Sequence, residues 1–264
     1  KLDLSNWKIN TQHSYNSFDV SHTWIEYINR LLTAFAGIPI LILLIISLRL
    51  RKPNRHLTIT SILVILGMGF EAWLGKTVVD SNLSPYKITI HMMGSFIIIA
   101  LLLYAIYHSQ RQKVITFPPA FKYVLISAIS LTFIQVFLGT QVRQFIDEQV
   151  LNFGYKKELW LENPNLQFYI HRTLSILVIL INVWLYMINK KLQLNEPLIN
   201  YIMLVLGLEV LTGILMYYFN FPFATQPLHL VLSAILFGLQ FYLILKTTLT
   251  KGQNISLVST SKTN

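Results

Sequence analysis

The sequence predicts an all-α protein that crosses a membrane seven times, built as two tandem four-helix bundles of which the first lacks one helix in this sequence. Three observations lead there. Of the 264 residues, 54% are hydrophobic and 12% charged, with a mean hydropathy of +0.54; a soluble domain of this size could not hide so much apolar surface. The apolar residues come in unbroken runs, such as 34–48 and 174–188, long enough to cross the ~30 Å hydrocarbon core of a bilayer. The chain is also self-similar, the mark of a duplicated unit.

The spans fall at about 23–48, 58–79, 87–109, 121–140, 166–189, 198–219 and 228–249. Their continuous runs exclude the alternating pattern of a membrane barrel. Backbone groups in lipid must be satisfied within the segment, so each run is a helix. In the first span, "YINRLL" (27–32) pairs with "YIHRTL" (169–174) of the fifth. In the second, "LGMGFEAWLG" (66–75) pairs with "LGLEVLTGIL" (206–215) of the sixth, matching Glu71 to Glu209 and Gly75 to Gly213. The third and seventh match His91 to His229. Spans one to three thus repeat as spans five to seven in the same orientation, a parallel repeat. The fourth span, around Gln135 and Gly139, corresponds to a helix that would precede residue 1; a cleaved signal is the alternative account of the N-terminal region. The expected organisation is an outer segment 1–22, an N-terminal half-bundle 23–110, a linker 111–120, a C-terminal four-helix bundle 121–250 and a tail 251–264.

The loops after the first, third and fifth spans, with the C-terminal tail, hold 12 of the 21 Lys and Arg and a single acid, Glu196. The positive-inside rule puts these loops and the C-terminus in the cytoplasm, or in a mitochondrial matrix of the same sidedness. Charge sidedness therefore accounts for the pI near 9.7 without nucleic acid. The absence of cysteine removes disulfides, thiolate ligands and iron–sulfur clusters within this chain. No phosphate loop, dinucleotide fingerprint, nucleophile elbow or HExxH motif occurs.

Of seven histidines, His13, His22, His56 and His108 read as solvated surface residues. His91, His171 and His229 differ, because each lies a few residues inside the same outer membrane face. Two imidazoles facing each other across a bundle clamp a haem iron axially, so His171 and His229 are the expected pair. The first-half counterpart of His171 is Asn29, a poor iron ligand, which leaves His91 as the one strong donor there. Glu26 shares the Asn29 face; it is either functional or an interfacial residue favourable to the helix dipole. Arg30, Arg143 and Arg172 stand on the outer side against the charge bias, placed for haem propionates or for headgroups. Gln135/Gly139, Glu71/Gly75 and Glu209/Gly213 share one spacing, read as close helix packing with a polar contact or as proton handling by the two glutamates.

Taken together, "HTWIEYINRLL", "HMMGSFIIIALLLY", "LGTQVRQFIDE", "FYIHRTLSILVIL" and "PLHLVLSAILFGLQ" resemble the helices of haem A synthases, over residues 22–249. The resemblance implies two fused bundles in a bacterial cytoplasmic membrane. A haem b cofactor would sit on His171 and His229, with Arg172 beside it. The substrate haem O would sit at Asn29 and His91, with Glu26 as the essential carboxylate; Arg30 and Arg143, from their outer-side position, would then be placed for its propionates. The implied reaction oxidises a ring methyl of haem O to a formyl group by successive hydroxylations. Quinol is a candidate electron donor and haem O synthase a candidate partner. This chain departs from the family at Asn29, usually His, and in lacking the cysteine pair of the first outer loop. A two-haem electron-transfer cytochrome, or a haem carrier without oxidising activity, is the rival expectation.

Overall fold

The computed structural model describes residues 20–49, 54–80, 85–110, 116–154 and 156–260, excepting the side chains of 21, 22, 79, 80, 85 and 249–260. The described residues are helical apart from short connections. The helices are α1 (Val20–Arg49), α2 (Arg55–Asp80), α3 (Pro85–Ser109), α4 (Pro119–Phe153), α5 (Leu166–Lys191), α6 (Leu198–Tyr218) and α7 (Thr225–Thr260), with one 3-10 turn at Lys157–Leu159. All seven are long and apolar enough to cross a membrane. The chain is thus a polytopic helical membrane protein. His13 lies outside the described residues, as does the side chain of His22.

Helix ends follow local chemistry. α4 opens on Pro118 and Pro119, where a missing N–H costs nothing, and stops at Gly154, whose φ is 62°. The Asn165 side chain caps α5 by accepting from Phe168 N at 3.0 Å, satisfying an otherwise orphaned donor.

α4 through α7 close into a ring: α4 packs on α5, α5 on α6, α6 on α7 and α7 on α4. The diagonal pair α5 and α7 does not touch along its backbone. α1, α2 and α3 form an arc in which α1 packs on α2 alone and α2 on α3; α3 then docks on α4 and α7. For orientation, the end of the helices bearing the basic loops is called the basic end, and the other the far end. In the basic-end half of the ring, Phe121, Leu125, Leu185, Ile199, Ile202 and Leu243 are all fully buried. A second cluster, Phe96 with Val136 and Phe237, joins α3 to the ring. Polar ties cross the same ground. Gln240 Nε2 donates to Asn182 Oδ1 at 3.0 Å, bridging the α5/α7 diagonal. The buried Glu196 carboxylate meets Lys246 Nζ at 2.5 Å.

Two helices outrun their predicted ends. α4 has 35 residues rather than ending near 140, about 52 Å at 1.5 Å per residue, well beyond the ~30 Å of hydrocarbon. Hydropathy marks where lipid ends, not where the helix ends. Past Gly139 the sequence turns polar yet stays helical, and Ile146 packs with Trp160 and Phe221 in a small far-end core. α7 likewise continues to Thr260, past the predicted end at 249.

Candidate functional site

His91, His171 and His229 are each set by a glycine on a neighbouring helix. A Cβ added at Gly75 would stand 3.5 Å from His91 Cε1, one at Gly139 3.3 Å from His171 Cε1, and one at Gly213 3.7 Å from His229 Cε1. The glycine at the fixed spacing from Glu71, Gln135 or Glu209 therefore seats an imidazole of the adjacent helix, and the residue four before it meets the same histidine. Gln135 Nε2 donates to the His171 carbonyl at 2.9 Å. Glu71 Oε2 lies 2.6 Å from His91 Nδ1. Glu209 Oε1 lies 3.4 Å from His229 Nε2.

His229 is fixed most completely. Thr212 Oγ1 donates to the Glu209 carbonyl at 2.8 Å, so the hydroxyl is left to accept from His229 Nδ1 at 2.8 Å. The Glu209 carbonyl is a further acceptor for that nitrogen at 3.2 Å. With Nδ1 holding the proton, Nε2 carries the lone pair, the arrangement of a metal-ready histidine. His171 comes from α5 and His229 from α7, on opposite sides of the ring. His171 Nδ1, Gln135 Oε1 and Glu209 Oε2 are buried with no hydrogen-bond partner. Buried polar atoms left this way are costly, and here they belong to His171 and to the two residues, Gln135 and Glu209, that meet His171 and His229. The two imidazoles are residues that could hold a metal or the metal of a flat cofactor. The two histidines come from helices whose backbones stay apart, and each ring lies against a glycine.

The other expected site residues are dispersed. Glu26 and Arg30, one turn apart on α1, pair with each other and are more than half exposed. Asn29 is exposed on the same helix, and its carbonyl accepts from Thr33 Oγ1 at 3.0 Å. Since α1 does not pack on α3, the α1 residues and His91 stand apart across α2, much as His171 and His229 stand apart across the ring. Arg143 faces Asp147 at 3.6 Å. The Arg172 guanidinium lies 5.3 Å from the centroid of the Tyr217 ring. All three arginines thus have neighbours of their own within this chain.

Several participants were not singled out from sequence. Thr212 had no signal beyond lying three residues after Glu209. Gly94 is where a Cβ would overlap the Glu71 carboxylate; the repeat does not flag it, because its counterpart is Leu232. His56 and His108, read as separate surface residues, stack with ring centroids 4.7 Å apart, and Tyr104 Oη lies 2.9 Å from His56 Nδ1.

Fold and site together define a polytopic helical membrane protein that carries intramembrane histidines on different helices, each seated on a glycine and met by a polar side chain. The sequence profile of the COX15-CtaA family, described as cytochrome oxidase assembly protein, matches residues 8–241, and the chain belongs to that family. Curated relatives named heme A synthase are similar along most of their length. That of Ehrlichia canis (strain Jake) is 28% identical over 263 residues, covering 89% of this chain and 74% of the relative. That of Wolbachia pipientis wMel is 26% identical over 246 residues, covering 83% and 69%.

Proposed function

We propose that this chain is a haem A synthase: it oxidises a ring methyl of haem O to a formyl group, with a haem b held between His171 and His229 as electron relay. Membership of a cytochrome oxidase assembly family and similarity to proteins named heme A synthase support haem A synthesis. The observation that carries the haem b site is the pair of histidines on diagonal helices whose backbones stay apart, each ring lying against a glycine. Haem b, when bound, supplies one-electron transfer. The protein's part is orientation: Thr212 and the Glu209 carbonyl hold the proton on His229 Nδ1, and Gln135 anchors the α5 backbone at His171. Arg172 would face a propionate at the rim.

In the first half, His91 takes the substrate iron, and Arg30 and Arg143 serve the substrate propionates. Asn29 stands where a second ligand would be, so one iron face is open or weakly held. Glu26 lies near the ring edge undergoing oxidation, where it moves a proton or stabilises positive charge. For that role Glu26 must exchange its Arg30 partner for substrate. The recurrence of the Glu–Gly pair beside His91 and His229 supports two tandem bundles related by a parallel repeat, in a bacterial cytoplasmic membrane with the haem layer toward the outside.

The test is Glu26→Ala, expressed in membranes that make haem O, with extracted pigments resolved by chromatography. Haem A should fall at least ~100-fold, the usual scale for loss of a general acid–base group, while haem b stays. Undiminished haem A would refute the role of Glu26. Recovery of haem b alone from the parent protein, two per chain, would favour an electron-transfer cytochrome instead.

A further inference from the structure

We infer that Glu71 is a positioning residue for His91, making it a stronger and more directional iron donor than either histidine of the other site. The inference rests on the reading that His91 takes the substrate iron.

Glu71 is buried, 8% exposed, within a membrane-spanning helix. A carboxylate there is expensive without a partner. Its two oxygens and His91 Nδ1 make no aligned hydrogen bond, yet Oε2 stands 2.6 Å from that nitrogen. The Ser95 hydroxyl is the other polar group beside the carboxylate, and it already donates to the His91 carbonyl at 3.0 Å. A small rotation of the imidazole closes a charge-assisted hydrogen bond and leaves Nε2 as the free donor.

Space for the carboxylate comes from Gly94 on α3, because any Cβ there would overlap it. Alignment of the two halves on Glu71/Glu209 and His91/His229 puts Leu232 opposite Gly94 and Leu74 opposite Thr212. The two histidines therefore solve one problem differently. His229 gives its Nδ1 proton to a hydroxyl and a carbonyl, both neutral. His91 has no such hydroxyl and has a carboxylate in its place. An imidazole that donates to a carboxylate is the more basic ligand at its other nitrogen. A single strong donor suits a site whose opposite position is Asn29.

The experiment titrates ferrous haem O into the purified full-length protein, with its second-half haem in place. It reads affinity and the iron–histidine stretching band, which a haem with two histidine ligands does not contribute. Glu71→Gln should weaken affinity about 10- to 100-fold, the usual effect of losing such an outer partner, and move the band to lower frequency. Gly94→Ala, which keeps the carboxylate but displaces it, should shift the band the same way. Glu71→Asp should restore part of the shift, and an unchanged second-half haem spectrum certifies folding in each variant. If His91→Ala abolishes the band while Glu71→Gln and Gly94→Ala leave band and affinity unmoved, the inference is overturned and the site reading stands. A band that survives His91→Ala overturns the site reading itself.

Discussion

Gly139 and Gly213 permit a graded test of the haem site proposed at His171 and His229. Alanine at Gly139 puts a methyl carbon 3.3 Å from His171 Cε1, whereas alanine at Gly213 puts one 3.7 Å from His229 Cε1. The second is an ordinary van der Waals separation and needs no adjustment. The first is tighter than carbon contacts prefer, so the His171 ring must give by a few tenths of an ångström. Forcing one extra methyl into packed surroundings costs about 1–3 kcal/mol. The His171 side chain can yield, since Nδ1 has no partner and Gln135 holds the backbone rather than the ring. The lower part of that range, about 1–2 kcal/mol, therefore applies, or roughly 5- to 30-fold in haem affinity. Haem titration of the stripped protein, followed by absorbance, gives both constants. Gly139→Ala should weaken binding by that factor, and Gly213→Ala by less than about twofold. Equal effects, or a larger effect at Gly213, would refute the reasoning.

Two further outcomes follow from the same geometry. Thr212→Val removes the hydroxyl 2.8 Å from His229 Nδ1 but leaves the Glu209 carbonyl at 3.2 Å; haem affinity should fall by up to about tenfold, the low end for an outer-partner loss, as measured in that titration. Lys246→Met strands the fully buried Glu196 carboxylate and should cost about 3 kcal/mol, the low end for breaking a buried pair because Lys246 keeps some exposure; Lys246→Met with Glu196→Leu should recover most of it, read from unfolding in mixed detergent micelles.

The fold was legible because lipid imposes a simple rule: twenty apolar residues in a row can only be helix. That rule speaks to residues within the hydrocarbon, so it placed the spans but ended α4 and α7 early. His91, His171 and His229 were set apart from the other four histidines by their depth, and the structure seats each of them on a glycine of a neighbouring helix. Gly75, Gly139 and Gly213 were recognised as packing positions, but periodicity along one helix cannot say what packs there. That the guest is an imidazole emerges only when two helices are placed side by side. His56 and His108 illustrate the same limit: 52 residues separate them in sequence, and no local pattern announces that their rings stack. The neighbours of Arg30, Arg143 and Arg172 include Asp147 and Tyr217, which had not been considered, because arginine reach depends on rotamers that sequence does not fix.

The dense packing of Phe121, Leu125, Leu185, Ile199, Ile202 and Leu243 has a meaning beyond stability. A layer of histidines, glutamates and glutamine inside a bilayer invites hydration, and a continuous water thread through the ring would short-circuit the ion gradient the membrane maintains. Below the polar layer these side chains are fully buried in one cluster, and the Asn182–Gln240 contact among them is made to each other rather than to solvent. The chain can thus carry a buried polar layer within the membrane while its basic-end half stays an electrical insulator.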